Sequence, residues 1–171
     1  MRTLYLLRHA KSSWDDPSVA DHARPLSGRG RRAARQLALH VEQQAVRPAL
    51  VLCSSAQRAR ETLDAIRPAL GKAADVLFED GLYGAEVREL VARLRRAPGD
   101  APSVMVIAHN PGMQELAIHL AGDGDEATLA RTRAKFPTGG LATLDLGQHP
   151  WASLAAGQAY LVSLVTPSDL V

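Results

Sequence analysis

Leu4-Tyr5-Leu6-Leu7-Arg8-His9-Ala10-Lys11, preceded by Thr3, is the stretch on which the fold turns. Thr3 to Leu7 reads as a strand, and its apolar run stops abruptly at a cation and an imidazole. In open α/β sheets ligands bind outside the carboxyl ends of the strands. This ending therefore places Arg8 and His9 where a ligand would sit. Taken alone the pair could equally be solvated, so the weight falls on what the other strand ends carry.

Working outward, a polar, proline-containing loop runs from Lys11 to Pro25, and Ser27-Gly28-Arg29-Gly30 leads into a helix over Arg31 to Ala45. Ala34, Leu37, Ala38, Val41 and Ala45 recur there at helical spacing, and Ser27 is placed to cap the first turn. Ala49 to Cys53 reads as a buried parallel strand bounded by Ser54-Ser55, whose hydroxyls offer caps for a helix bearing Ala59, Leu63, Ile66 and Leu70. Pro68 should end or kink that helix. Val76 to Phe78 forms a third strand before the acidic turn Glu79-Asp80-Gly81, and Val87, Leu90, Val91 and Leu94 make the next stripe.

Ser103 to Ala108 is the clearest strand and runs straight into His109-Asn110-Pro111-Gly112 and a helix with Met113, Leu116, Ala117 and Leu120. From Asp123 to Gly140 the reading is a long irregular stretch, and strands over Leu141 to Leu146 and Tyr160 to Val165 close the chain. Strands alternating with helices imply right-handed βαβ units. The expected fold is α/β: a three-layer α/β/α sandwich around a mostly parallel central sheet.

At 171 residues the chain suits one domain, spanning 1–171, with a substantial core. Its formal charge of +2 and 4% aromatic content give no ground for a nucleic-acid partner. No apolar run approaches the roughly 18 to 20 residues that span a bilayer, so no membrane role is expected. Met1-Arg2-Thr3 enters the first strand directly, which speaks against a signal peptide. The single cysteine, Cys53, fits a reducing compartment. The expectation is a cytoplasmic, soluble protein.

The strand ends converge. The first carries Arg8-His9, the second leads through Ser54-Ser55-Ala56-Gln57 to Arg58 in the next helix's first turn, and the fourth gives His109. In a parallel sheet these ends share one edge, so two histidines and two arginines meet in one crevice. Such a cluster suits phosphoryl transfer. The arginine fork pairs bidentately with phosphate oxygens and stays charged. Helix N-termini add amides for an anion. A neutral histidine is a competent nucleophile near pH 7, and a second imidazole can stabilise developing charge.

Other phosphatase chemistries do not match. Cysteine-dependent enzymes use Cys-x5-Arg, whereas Cys53 and Arg58 are separated by four residues and Cys53 lies inside an apolar strand. There is no Asp-x-Asp-x-Thr after the first strand, no His-x-His or His-Glu-x-x-His, and no EF-hand pattern at Asp123-Gly124-Asp125-Glu126. No metal and no cofactor is expected, which leaves a histidine for the covalent step.

Arg8-His9-Ala10-Lys11 resembles the Arg-His-Gly motif of the histidine phosphatase superfamily, whose fold is phosphoglycerate-mutase-like. Arg24-Pro25-Leu26-Ser27-Gly28-Arg29-Gly30, Ser54 to Thr62 (SSAQRARET) and Ala108 to Gly112 fall where that family has its other blocks. The short chain, the Arg-Pro-Leu segment and Phe136-Pro137-Thr138 look most like its SixA-type phosphohistidine phosphatase branch. The resemblance implies that His9 becomes phosphohistidine, that Arg8, Arg58 and His109 form the phosphate pocket, and that His109 also assists the transition state. Arg24 matches a further anion-contacting arginine, the alternative being a solvated residue beside Arg29, Arg31, Arg32 and Arg35. His22, His40, His119 and His149 match no motif and read as structural or exposed.

One departure bears on the substrate. Many members place a glutamate after the third strand, in a Leu-x-Glu pattern, to protonate the leaving oxygen. Here Leu82-Tyr83-Gly84 stands in that place, with Glu79, Asp80 and Glu86 near it and none matching cleanly. An alcohol leaving group needs that proton, a contribution of roughly 10²- to 10⁴-fold, while imidazole needs it less. The expected partner is therefore a phosphohistidine-bearing protein, with phosphate or other oxyanions as inhibitors. Two alternatives stay open: a small-molecule phosphomonoester phosphatase using Glu79, Asp80 or Glu86 as acid, and a non-catalytic phosphate- or phosphoprotein-binding module.

Overall fold

The computed structural model describes residues 1–72 and 74–171 of the chain. The strands are β1 (Arg2–Arg8), β2 (Leu50–Ser54), β3 (Asp75–Glu79), β4 (Ser103–Ala108), β5 (Ala121–Gly124), β6 (Leu141–Gly147) and β7 (Ala159–Val165). The helices are α1 (Gly28–Gln43), α2 (Gln57–Ile66), α3 (Val87–Arg95), α4 (Gly112–Leu120) and α5 (Glu126–Ala134). All seven strands join one sheet in the order β3-β2-β4-β1-β6-β7-β5. Only β6 opposes the rest, pairing antiparallel with β1 and β7, while the β1–β4, β2–β4, β2–β3 and β5–β7 pairs are parallel.

Because side chains alternate across a strand, each central strand feeds two cores. Leu4, Leu6, Leu50, Leu52, Val104 and Val106 face one side, where Leu90, Leu94, Met113 and Leu116 of α3 and α4 cover them. Leu7, Val51, Cys53, Met105 and Ile107 face the other, against Leu37 and Val41 of α1 and Leu63 and Ile66 of α2. These are the three expected layers. The strands β1, β2 and β4 are apolar on both faces, as a strand covered on both sides must be.

The helix signals act as read. Ser27 Oγ accepts from Gly30 N at 3.0 Å and caps α1. α2 stops at Ile66, and Pro68 sits in the first turn of the short 3₁₀ segment that follows. The serines after β2 do not cap α2, which begins after Ala56 without a side-chain cap; both are used elsewhere.

The largest correction lies between Asp123 and Gly140, expected to be irregular. Ala121–Gly124 is instead an edge strand beside β7, and Glu126–Ala134 is a helix. Neither had a periodic signal to show. β5 is four small or polar residues, admitted because Gly122 lets its backbone approach Gly157: a Cβ there would lie 2.0 Å from the Gly157 carbonyl oxygen. α5 fully buries Thr132 alone. Its one legible sign was Asp125, whose carboxylate accepts from Thr128 N at 3.1 Å as an N-cap.

Gly30 fixes the loop that follows β1. A Cβ on it would stand 2.0 Å from the Lys11 carbonyl oxygen, and that carbonyl accepts from Ser27 N at 2.9 Å. Gly30→Ala must push α1 and the Lys11 segment apart. We expect it to destabilise the protein by about 2 kcal/mol or more, read as a lowered urea midpoint with an unchanged m-value.

Candidate active site

The register of the sheet builds the site. Arg8 pairs with Ala108 across β1 and β4, and His9 N donates to the Ala108 carbonyl at 3.1 Å, so His9 and His109 leave neighbouring strands side by side. Their rings lie 5.1 Å apart. On the other side of β4, β2 ends at Ser54, and Arg58 projects from the second residue of α2. Thr62 locks the two segments together: its hydroxyl accepts from Ala10 N at 3.0 Å and donates to the Arg58 carbonyl at 2.7 Å. Arg8, His9, Arg24, Arg58 and His109 all line one pocket of about 260 Å³, with Lys11, Ser12, Trp14, Asn110 and Thr138.

His9 is 5% exposed. Its Nδ1 is 2.7 Å from the Ala10 carbonyl oxygen. A carbonyl can only accept, so Nδ1 carries the proton and the neutral ring keeps its lone pair on Nε2. Arg58 Nε donates to that Nε2 at 3.3 Å. Burial, reinforced by the charges of His109, Arg58 and Arg8, lowers the His9 pKa to about 3 against the opposing Ala10 hydrogen bond. The imidazole is thus neutral, in one tautomer, with its free nitrogen beside a guanidinium.

His109 is 8% exposed, and burial followed by the nearby Arg58 charge lowers its pKa to about 4. Its Nε2 is 2.7 Å from Ser54 Oγ. That hydroxyl accepts from Ala56 N at 3.3 Å, and among the described residues His109 Nε2 is the acceptor in reach of its own proton, so the hydroxyl donates to Nε2 and the imidazole proton sits on Nδ1. Nδ1 is buried and has no partner among the described residues, so it is a donor available to an oxyanion.

Folding strips both rings of proton affinity. The unfolded chain therefore binds more protons from about pH 6.5 down to the folded values, and stability falls as pH drops through that window. In an NMR titration, His9 and His109 should stay neutral down to about pH 5; a transition near 6.5 in either ring would contradict this electrostatic picture.

The guanidinium groups outnumber their carboxylates. Arg58 donates from Nη1 to the Asp21 carbonyl at 2.7 Å and from Nη2 to Asp21 Oδ2 at 3.1 Å. Arg24 bonds Asp21 Oδ1 at 3.2 Å and the Ser13 carbonyl at 3.3 Å, with its guanidinium 3.5 Å from the centre of the exposed Trp14 ring. Arg8 Nη1 donates to the Phe136 carbonyl at 3.0 Å, and its buried Nε has no partner among the described residues. Three arginines against one carboxylate leave a positive excess that suits a phosphate dianion. Gly139 N closes the wall by donating to the Arg8 and His9 carbonyls at 3.0 and 2.9 Å.

Asp21 and Tyr83 belong to the site although no sequence motif marks them. The Tyr83 hydroxyl donates to Asp21 Oδ2, and its ring stands edge-on to His109 at 5.4 Å. That hydrogen bond is the first cause lowering the Asp21 pKa to about 2, with the two arginines adding to it. Exposed His22 bonds Ser55 Oγ at 2.9 Å and packs edge-on against Tyr83. The Asp21–Arg24 spacing, three residues on a turn, was the one available hint. Tyr83 offers none beyond standing in the place of the Leu-x-Glu pattern.

None of the three acids proposed from sequence lines this pocket. Glu79 is held bidentately by Arg93 at 2.7 and 2.9 Å. Exposed Glu86 is the N-cap residue of α3, and exposed Asp80 opens a 3₁₀ turn. Cys53 is fully buried in β2, and burial pushes its thiol up to about 12, so it is core.

The family model described as "Histidine phosphatase superfamily (branch 1)" matches residues 4–93. The chain belongs to this superfamily. It is a phosphatase of the SixA type, with a phosphoglycerate-mutase-like α/β fold. An uncharacterized protein of Mycobacterium tuberculosis is 37% identical over 94% of this chain and 99% of its own length. A structure from Nakamurella multipartitia, provisionally assigned as a SixA phosphohistidine phosphatase, is 32% identical. It covers 97% of this chain and 96% of its own, with a TM-score of 0.84. A second provisional SixA structure, from Agrobacterium tumefaciens, is 30% identical over 97% of this chain and 98% of its own, with a TM-score of 0.78.

Proposed function

We propose that this phosphatase removes the phosphoryl group from phosphohistidine in a protein, without a metal, through a phosphoenzyme on His9. His9 Nε2 attacks phosphorus in line. The P–N bond of the substrate breaks, its electron pair goes to the departing ring nitrogen, and the substrate imidazole, which enters already protonated at its other nitrogen, leaves neutral. Arg8, Arg24, Arg58 and the Nδ1–H of His109 hold the equatorial oxygens as charge shifts. Water then attacks the phosphoenzyme, phosphate departs with the water's oxygen, and His9 Nε2 recovers its lone pair.

The observation that carries the choice of substrate is that Asp21, the carboxylate at the site, is already engaged by Arg24, Arg58 and the Tyr83 hydroxyl. With a pKa of about 2 that carboxylate holds no proton to give at neutral pH. Tyr83 is held in its protonated form by donating to that carboxylate. A leaving group that departs neutral fits such a site better than an alkoxide does. The provisional SixA assignment of the relatives at 30 and 32% identity supports the same reading.

The test is turnover of a phosphohistidine peptide against sugar, nucleotide and phosphoserine monoesters, each with and without a chelator. Phosphohistidine should lead in kcat/KM by about 10²-fold or more, and the chelator should change nothing. Preference for a monoester would move the assignment to the small-molecule alternative, and tight phosphate binding without any turnover would restore the binding-module reading.

A further inference from the structure

A second cleft, of about 570 Å³, adjoins the catalytic pocket, and Lys11 and Thr138 line both. Every charged residue lining it is a cation: Lys11, Arg29, Arg131 and Lys135. This is a local bias, since the whole chain has 20 Lys and Arg against 18 Asp and Glu. Arg131 is fixed by Asp169 at 2.9 Å and by the Leu164 carbonyl at 3.2 Å. Among the described residues Lys11, Arg29 and Lys135 enter no ion pair, and all three are exposed.

The fold holds these cations together by separate devices. Arg29 comes from the first turn of α1, pressed against the Lys11 backbone by Gly30. Lys11 follows the nucleophile loop itself. Lys135 ends α5 and precedes the Phe136–Gly139 segment that bonds Arg8 and His9. Like charges gathered in a concavity repel one another and focus a positive potential that an anion relieves. A peptide whose phosphoryl group enters the small pocket can continue past Lys11 and Thr138 into this cleft.

We infer that the cleft is a second anion site, which takes carboxylate side chains flanking the phosphorylated histidine of the protein substrate. The inference rests on the phosphohistidine reading above and deepens it. Three exposed pairs, each worth a factor of about two, compound to about tenfold at low salt.

The test uses two labelled peptides that carry a nonhydrolysable phosphoryl-triazole in place of phosphohistidine, one flanked by glutamates and the other by glutamines. By fluorescence anisotropy the wild-type protein should bind the glutamate peptide about tenfold more tightly, the advantage shrinking as salt rises. In Arg29→Glu/Lys135→Glu the preference should vanish, while phosphoramidate, which has no side arm, is hydrolysed at the wild-type rate. Equal binding of the two peptides by wild type, or a preference surviving in the double variant, overturns the inference. Failure of the phosphohistidine reading shows elsewhere: hydrolysis of a glutamate-flanked phosphoserine peptide but not its phosphohistidine twin, with the glutamate preference intact, keeps the anion site and changes only the phosphoryl donor.

Discussion

His9→Ala is expected to lower kcat/KM for a phosphohistidine peptide by about 10⁴-fold or more, because in the proposed mechanism it removes the atom that takes the phosphoryl group. No neighbour can replace it. His109 Nε2 is engaged by Ser54, and the ring's other nitrogen carries the proton in that arrangement. Cys53 is buried in β2 with a thiol pushed up to about 12, so it supplies no thiolate at neutral pH. The variant should remain folded, since the main-chain bonds of this segment, His9 N to Ala108 and Ala10 N to Thr62, do not involve the ring. Unchanged circular dichroism beside lost turnover is the expected pair of readings. Turnover within tenfold of wild type would remove His9 from the mechanism.

Arg58→Ala should cost about 10²- to 10³-fold in kcat, the scale found when one preorganised donor to a developing oxyanion is deleted. Arg58 does two things at once. Its Nε–H meets His9 Nε2, and its two terminal nitrogens are anchored on the Asp21 carbonyl and carboxylate. That fork holds the charge beside the phosphoryl position with little freedom to lose. Arg58→Lys should therefore restore little, since a lysine supplies a point charge without the planar spread of donors. Single-turnover kinetics with both variants checks this. Recovery of most of the rate by lysine would mean that charge alone, rather than donor geometry, sets the contribution.

Much of the fold was legible because the central strands are covered on both faces. Continuous apolar runs such as Val104 to Ala108 end sharply, and the residues at that end line the candidate pocket: Arg8 closing β1 with His9 after it, and His109 after β4. The edge strand β5 and helix α5 were illegible for the opposite reason. They bury too little to impose a period, and a Gly122–Gly157 backbone approach and an Asp125 cap hold them instead. The residues read at strand ends, Arg8, His9, Arg58 and His109, come together in one pocket. Asp21 and Tyr83, placed by loops that meet only in three dimensions, are marked by no sequence motif. Ser54 reads in sequence as a helix cap after an apolar run; the structure makes it the last residue of β2, with its hydroxyl on His109 Nε2. Arg24 sits among exposed arginines in sequence, yet it is 8% exposed and lines the pocket.

In the proposed mechanism the phosphoryl group passes through His9 Nε2. The most direct measurement is a rapid acid-free quench during turnover, followed by proteolysis and mass spectrometry at high pH, where phosphohistidine survives. A phosphoryl group on the peptide containing His9, formed in a burst approaching one per enzyme and absent in His9→Ala, is the expected result. Steady turnover with no phosphoryl group on that peptide, or its appearance on the peptide containing His109 instead, would contradict it.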